Sequence, residues 1–127
     1  MQRGWAHAHA GQYAKAALDF TEVLRANPQR GDARLLRGCC LAGEGGHAAA
    51  IKDFNQCLLL NGGNAAAWYD RGMAYQQMGD WKSAAHDFDT ALQLRPDDAR
   101  AASALKTANK NLSAHGSGEE MVQLQPQ

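Results

Sequence analysis

Three arginine–glycine dipeptides stand at Arg3-Gly4, Arg37-Gly38 and Arg71-Gly72, each 34 residues from the next. The same step carries Gly11 to Gly45 to Gly79 and Ala16 to Ala50 to Ala84. It carries Asp19-Phe20 to Asp53-Phe54 to Asp87-Phe88, and Leu24 to Leu58 to Leu92; two steps carry Pro28 to Pro96. A strict period in this range means that one supersecondary unit is copied along the chain and buries its apolar face only against its neighbours. The chain therefore folds as an array, with a core built between units.

Within one period the apolar pattern is helical twice. In residues 65–98 the first stripe is Trp68, Gly72, Tyr75 and Met78. Gly79-Asp80 interrupts it. The second stripe is Trp81, Ala84, Ala85, Phe88, Ala91 and Leu92, and it ends at Arg95-Pro96, where proline cannot continue a helix interior. Each unit is thus an antiparallel helix pair joined by a glycine-containing turn. Composition agrees: alanine is abundant, while Val23, Val122, Ile51, Thr21, Thr90 and Thr107 are the only residues of their types, which starves any sheet. The expected fold is all-α, with helices over 1–10, 13–26, 32–42, 47–60, 65–78, 81–94 and 98–113. The units run 1–30, 31–64 and 65–98. A capping helix follows at 99–113, with Ala101, Leu105, Ala108 and Leu112 on its apolar face, and residues 114–127 read as a flexible tail. Asp97 or Asp98 is placed to cap that helix.

These residues resemble the tetratricopeptide repeat. The third unit supplies Trp68, Gly72, Tyr75, Ala84, Phe88, Ala91 and Pro96 at the places of the family pattern. The second supplies Gly38, Leu41, Ala50, Phe54 and Cys57, but has Arg34 where a bulky apolar residue is usual and Gly62 where proline is usual. The first supplies Gly4, Ala16, Phe20, Val23 and Pro28, and its register asks for four residues ahead of Met1. In every unit an arginine (Arg3, Arg37, Arg71) stands where the family has leucine. The resemblance spans about residues 1–113. It implies a right-handed superhelix whose concave face is lined by the first helix of each unit and holds an extended peptide or a partner's helix.

The recurring arginines pair in register with recurring aspartates: Arg3 with Asp19, Arg37 with Asp53, Arg71 with Asp87, always 16 residues apart. They are expected to form a partly buried ladder between the two helices of each unit. Such a bidentate pair contributes more than an exposed one.

Chemistry of other kinds finds little support. Lys plus Arg equals Asp plus Glu at 13 each, so the net charge is zero and no basic excess invites nucleic acid. No run of about 20 apolar residues suits a membrane span, and the N-terminus lacks a signal-peptide core. Cys39, Cys40 and Cys57 are odd in number and lack ligand spacing, which reads as reduced thiols and a cytoplasmic location. Of the adjacent Cys39 and Cys40, one is expected to face the groove and one the packed side. His7 and His9 point to opposite sides of a helix and read as surface residues rather than metal ligands. The Gly43-Glu44-Gly45-Gly46 run follows no strand, so it is a turn and not a nucleotide loop. No catalytic constellation, metal site or cofactor is expected, and the chain is not read as an enzyme.

Function then rests on shape. The expected peptide groove comprises Trp5, Leu35, Cys39, Tyr69, Asp70, Met73, Gln76, Gln77 and Arg100, with Ala8, His9, Asp32, Leu36, Ala42, Ala66, Ser103 and Lys110 around them. Trp5, Leu35, Tyr69 and Met73 are large apolar groups where packing within the stack does not require them. The leading expectation is a protein-interaction module that takes a protein or peptide partner. The alternative is a self-association module, or a fragment of a longer array, with homo-oligomers forming through the N-terminal end or the tail docking into a neighbour. One branch of the family clamps the C-terminal carboxylate of chaperones with lysine, asparagine and arginine. The corresponding positions here are Met1, Trp5, Leu36, Ala66 and Asp70 in one register, or Leu35, Cys39, Asp70, Arg100 and Ala104 in the next. Only Arg100 is a cation and Asp70 opposes a carboxylate, so acidic chaperone tails are not expected to bind.

Overall fold

The computed structural model describes the backbone of residues 2–124 and the side chains of residues 11–114. Six helices follow one another: α1 (Gln2–Ala26), α2 (Gly31–Gly43), α3 (His47–Leu60), α4 (Ala65–Gln77), α5 (Trp81–Leu94) and α6 (Ala99–Leu124). Each packs chiefly on the next in the chain, and α2 also touches α4. That is the nearest-neighbour order of a solenoid.

Helix ends follow the repeat register. Positions 64 and 98 begin the first helix of a unit: the Asn64 side chain accepts from Ala67 N at 3.1 Å, and Asp98 Oδ1 accepts from Arg100 N at 3.0 Å and Ala101 N at 3.3 Å. Arg30 stands at the same position in the second unit and makes no side-chain cap. Asp32 takes over, accepting from Ala33 N at 2.9 Å while paired with Arg30 at 2.7 Å. Within a unit the turn uses a glycine at positive φ, Gly45 at 90° and Gly79 at 80°, a region costly for any residue with a Cβ.

The core lies between helices of one unit and of the next. Phe54 and Phe88 are almost fully buried, with Ala50 and Ala84 beside them. A Cβ on Gly38 would lie 2.6 Å from Phe54, and one on Gly72 would lie 2.7 Å from Phe88. The repeated glycine is therefore what lets the aromatic ring enter the helix–helix seam. The α6 residues Ala101 and Ala108 are fully buried, and Leu105 and Leu112 pack on the Phe88 cluster, so α6 covers the last unit.

Two expectations need correction. The first unit is not a helix pair: 2–26 is a single helix, where a turn was expected at Gly11. Gly11 lacks positive φ, and position 12 is Gln, whereas Gly46 and Asp80 stand at the corresponding starts of α3 and α5. Glutamine is not among the side chains that favour a helix N-cap, so nothing ends the helix there. The second correction is the tail: α6 continues to Leu124 instead of ending at 113. No proline interrupts it before Pro126, and glycines such as Gly116 and Gly118 cost a helix only about 1 kcal/mol each.

Candidate peptide-binding face

The ladder arginines come from α2 and α4, and their partners from α3 and α5. Arg37 donates through Nε and Nη2 to both carboxylate oxygens of Asp53, each at 2.7 Å; Arg71 does the same to Asp87 at 2.8 Å. Asp53 is 3% exposed and Asp87 1%. Each arginine has a third bond, to the preceding unit: Arg37 Nη1 to Thr21 Oγ1 at 3.2 Å and Arg71 Nη1 to Asn55 Oδ1 at 2.8 Å. Thr21 and Asn55 are themselves one repeat apart, a periodicity visible in the sequence that the register argument did not use. Each arginine thus ties three helices. Arg34 also lies near Asp53, at 3.6 Å, whereas one repeat later Trp68 lies under Arg71, its ring centre 4.9 Å from the guanidinium carbon. The Arg3–Asp19 pair cannot take this form. Both lie on α1, about 24 Å apart along the axis at 1.5 Å per residue, and Asp19 is exposed. The side chains of Arg3 and Trp5 lie outside the described residues.

On the opposite side, α4 carries the centre of the expected groove. Tyr69 rests on Phe88, with ring centroids 5.6 Å apart, and the Arg100 guanidinium carbon sits 4.6 Å above its other face. Met73 packs one turn further along. Two cavities flank these side chains. One, of about 560 Å³, lies among α2, α3 and α4 and is lined by Cys39, Ala42, His47, Asp70 and Gln77; the other, of about 450 Å³, is lined by Gln76, Arg100, Ser103 and Thr107. Tyr69 and Met73 line both and form the wall between them. Of the groove residues expected, Cys39, Tyr69, Asp70, Met73, Gln76, Gln77 and Arg100 therefore meet on one face. Leu35 differs: it packs on the Ala50–Phe54–Ala74 cluster, because its place on α2 faces α3 as well as the groove. His47, at the start of α3, is an additional lining residue.

The electrostatics of the face centre on Asp70. Burial raises its carboxyl above the usual carboxylate range, partly opposed by a hydrogen bond from the Cys39 thiol and by the charge of Arg100. Cys39 Sγ donates to Asp70 Oδ2 at 3.3 Å. Burial, then the Asp70 charge, pushes the Cys39 thiol far up, so it stays protonated as a donor and is a poor nucleophile. Its neighbour Cys40 is buried on the packed side, and all three cysteines are free thiols. Among the described residues no three metal-ligating side chains cluster, and no helix is long and apolar enough to cross a membrane.

Family models described as the tetratricopeptide repeat match residues 38–109 and residues 1–65. The chain belongs to the tetratricopeptide-repeat family. Solved structures agree on the fold. The first tetratricopeptide-repeat domain of human RPAP3 has a TM-score of 0.81 at 22% identity, over 91% of each chain. The second domain of human RPAP3, solved in complex with the HSP70 peptide SGPTIEEVD, has a TM-score of 0.74 at 27% identity, over 85% of this chain and 90% of that one. The tetratricopeptide-repeat domain of Arabidopsis OM64 has a TM-score of 0.77 at 28% identity, over 86% and 90%. Comparison with curated protein sequences gives no match.

Proposed function

We propose that this tetratricopeptide-repeat chain is a protein-interaction module that takes a peptide or a partner's helix on the face formed by α2, α4 and α6. The carrying observation is that Tyr69 and Met73 stand between two open cavities, each offering apolar surface to both sides, with polar groups around them that can bind a peptide backbone. The peptide-bound human RPAP3 domain, similar in fold, supports the same use of the face. Few large side chains act as anchors, so the affinity expected is about micromolar.

The test is a double substitution. Tyr69→Ala with Met73→Ala removes the shared wall while the aromatic core at Phe54 and the ion-pair ladder stay in place. Capture of a binding peptide should fall below detection, and the helical circular-dichroism signal should persist. Capture at wild-type strength would move the binding surface elsewhere.

The groove chemistry also sets a preference. Arg100 is the cation of this face, and Asp70 lies where an acidic ligand would be repelled. The HSP70 peptide SGPTIEEVD, titrated by calorimetry, is therefore expected to give no measurable heat of binding. A micromolar isotherm would show that the acidic-tail clamp can be built without the usual lysines and asparagines.

A further inference from the structure

The cavity among α2, α3 and α4 contains an incompletely satisfied carboxylate. Asp70 is mostly withdrawn from solvent, and a thiol, a weak donor, is the only side-chain donor bonded to it among the described residues. No arginine or lysine lies within 4 Å of it among those residues. Arg100 acts on it only through its field: that guanidinium is stacked on Tyr69 and leans toward Asp98, with Nε 3.7 Å from Asp98 Oδ1. A carboxylate accepts up to about four hydrogen bonds, so most of its capacity is open. Across the Tyr69–Met73 wall, Gln76 Oε1 is buried with no hydrogen-bond partner among the described residues. Acceptors thus exceed donors on this face.

A buried carboxylate short of donors is stabilised by a cation. The space beside it, about 560 Å³, is far more than the roughly 30 Å³ share of one water and admits a long side chain. Its apolar walls (Ala42, Tyr69, Met73) suit the methylene stem of such a chain. His47 is the other titratable group lining it, and its Nδ1 has no partner among the described residues.

Resting on the peptide reading above, we propose that this cavity receives an arginine or lysine side chain of the bound peptide, with its cation against Asp70. The partner is then a segment with a basic residue flanked by apolar ones, opposite in charge to an acidic tail. Charge complementarity is the selecting feature, and Asp70 is the specificity-determining residue.

The experiment is selection of random nine-residue peptides displayed on phage against the whole chain, in parallel with the Asp70→Asn variant. The wild type should enrich arginine or lysine at one position of an otherwise apolar consensus, and Asp70→Asn should lose that enrichment while keeping the apolar positions. Enrichment without a basic position, or a basic position retained by Asp70→Asn, overturns the proposal and leaves the groove reading standing. Recovery of nothing above background overturns both. Should Asp70→Asn not fold, the ligand carries the test. The best basic peptide and its citrulline or norleucine counterpart are titrated into the wild type, where loss of the cation should weaken binding at least about tenfold. Equal affinity overturns the proposal.

Discussion

The first 26 residues and the two helix pairs that follow carry the same 34-residue register, yet they adopt different shapes. In α2–α3 and α4–α5 the chain turns back at Gly45 and Gly79, and an arginine on the first helix meets a buried aspartate on the second. In α1 the corresponding Gly11 is passed without a turn, and Asp19 is left exposed. A repeat position therefore does not act alone. Glycine permits the turn, but an N-cap residue one position later and a seam to close against are needed to hold it. Asp80 supplies that cap in the third unit by accepting from Ser83 N at 3.1 Å; Gly46 stands there in the second and Gln12 in the first.

The largest expected difference lies in the aspartates. Asp87→Asn removes the charge opposite Arg71 in a site where Asp87 is 1% exposed, leaving a guanidinium without its counter-ion. Breaking a pair of this kind costs about 2–4 kcal/mol, and Asp53→Asn should behave alike. Asp19→Asn, on the exposed face of α1, should stay within about 0.5 kcal/mol. Urea denaturation of the three variants measures this. Equal losses at positions 19 and 87 would mean that α1 closes into a hairpin like the others.

Most of this architecture is legible in the sequence, and for a physical reason. The repeat positions at Gly38, Phe54, Gly72 and Phe88 are fixed by packing that each unit makes in the same way, so a period in the letters is a period in the contacts. The bounds of α3 and α5 follow from cap residues and from proline at 96. What the letters do not carry is whatever depends on an absent neighbour or a cross-helix meeting. The continuity of α1 turned on Gln12, one weak cap among strong repeat signals. Leu35 sits between two demands, and only the packing of α2 on α3 shows that the core wins. The Cys39–Asp70 bond joins positions 31 apart, outside the 34-residue step, so no register argument finds it.

A smaller effect, of opposite sign in the two regions, concerns the turn glycines. Gly79 sits at φ 80°, where a Cβ costs about 1–2 kcal/mol, so Gly79→Ala should destabilise by that amount. Gly11 lies inside α1 with open space where a Cβ would project. Gly11→Ala should stabilise by about 0.5–1 kcal/mol, because alanine is the better helix former. Thermal melts followed at 222 nm read the sign directly. Two losses would place Gly11 in a turn; two gains would deny strain at Gly79.

The smallest effect isolates the cap. If Gln12 is what leaves α1 straight, then Gln12→Asp, which copies Asp80, offers a carboxylate to the amide of Lys15 as Asp80 does to Ser83. A good N-cap gains about 0.5–2 kcal/mol over a neutral residue, enough to populate a break at Gly11 without changing global stability much. Backbone amides report it. In a continuous helix Tyr13 and Ala14 donate to carbonyls four residues earlier, whereas the first amides of α5, at Trp81 and Lys82, have no intrahelical acceptor. Hydrogen exchange at Tyr13 and Ala14 should be slower than at Trp81 and Lys82 in the wild type, and should approach theirs in Gln12→Asp. Unchanged protection in the variant would show that the cap does not decide the turn, and that closure of the seam between the two helices decides it instead.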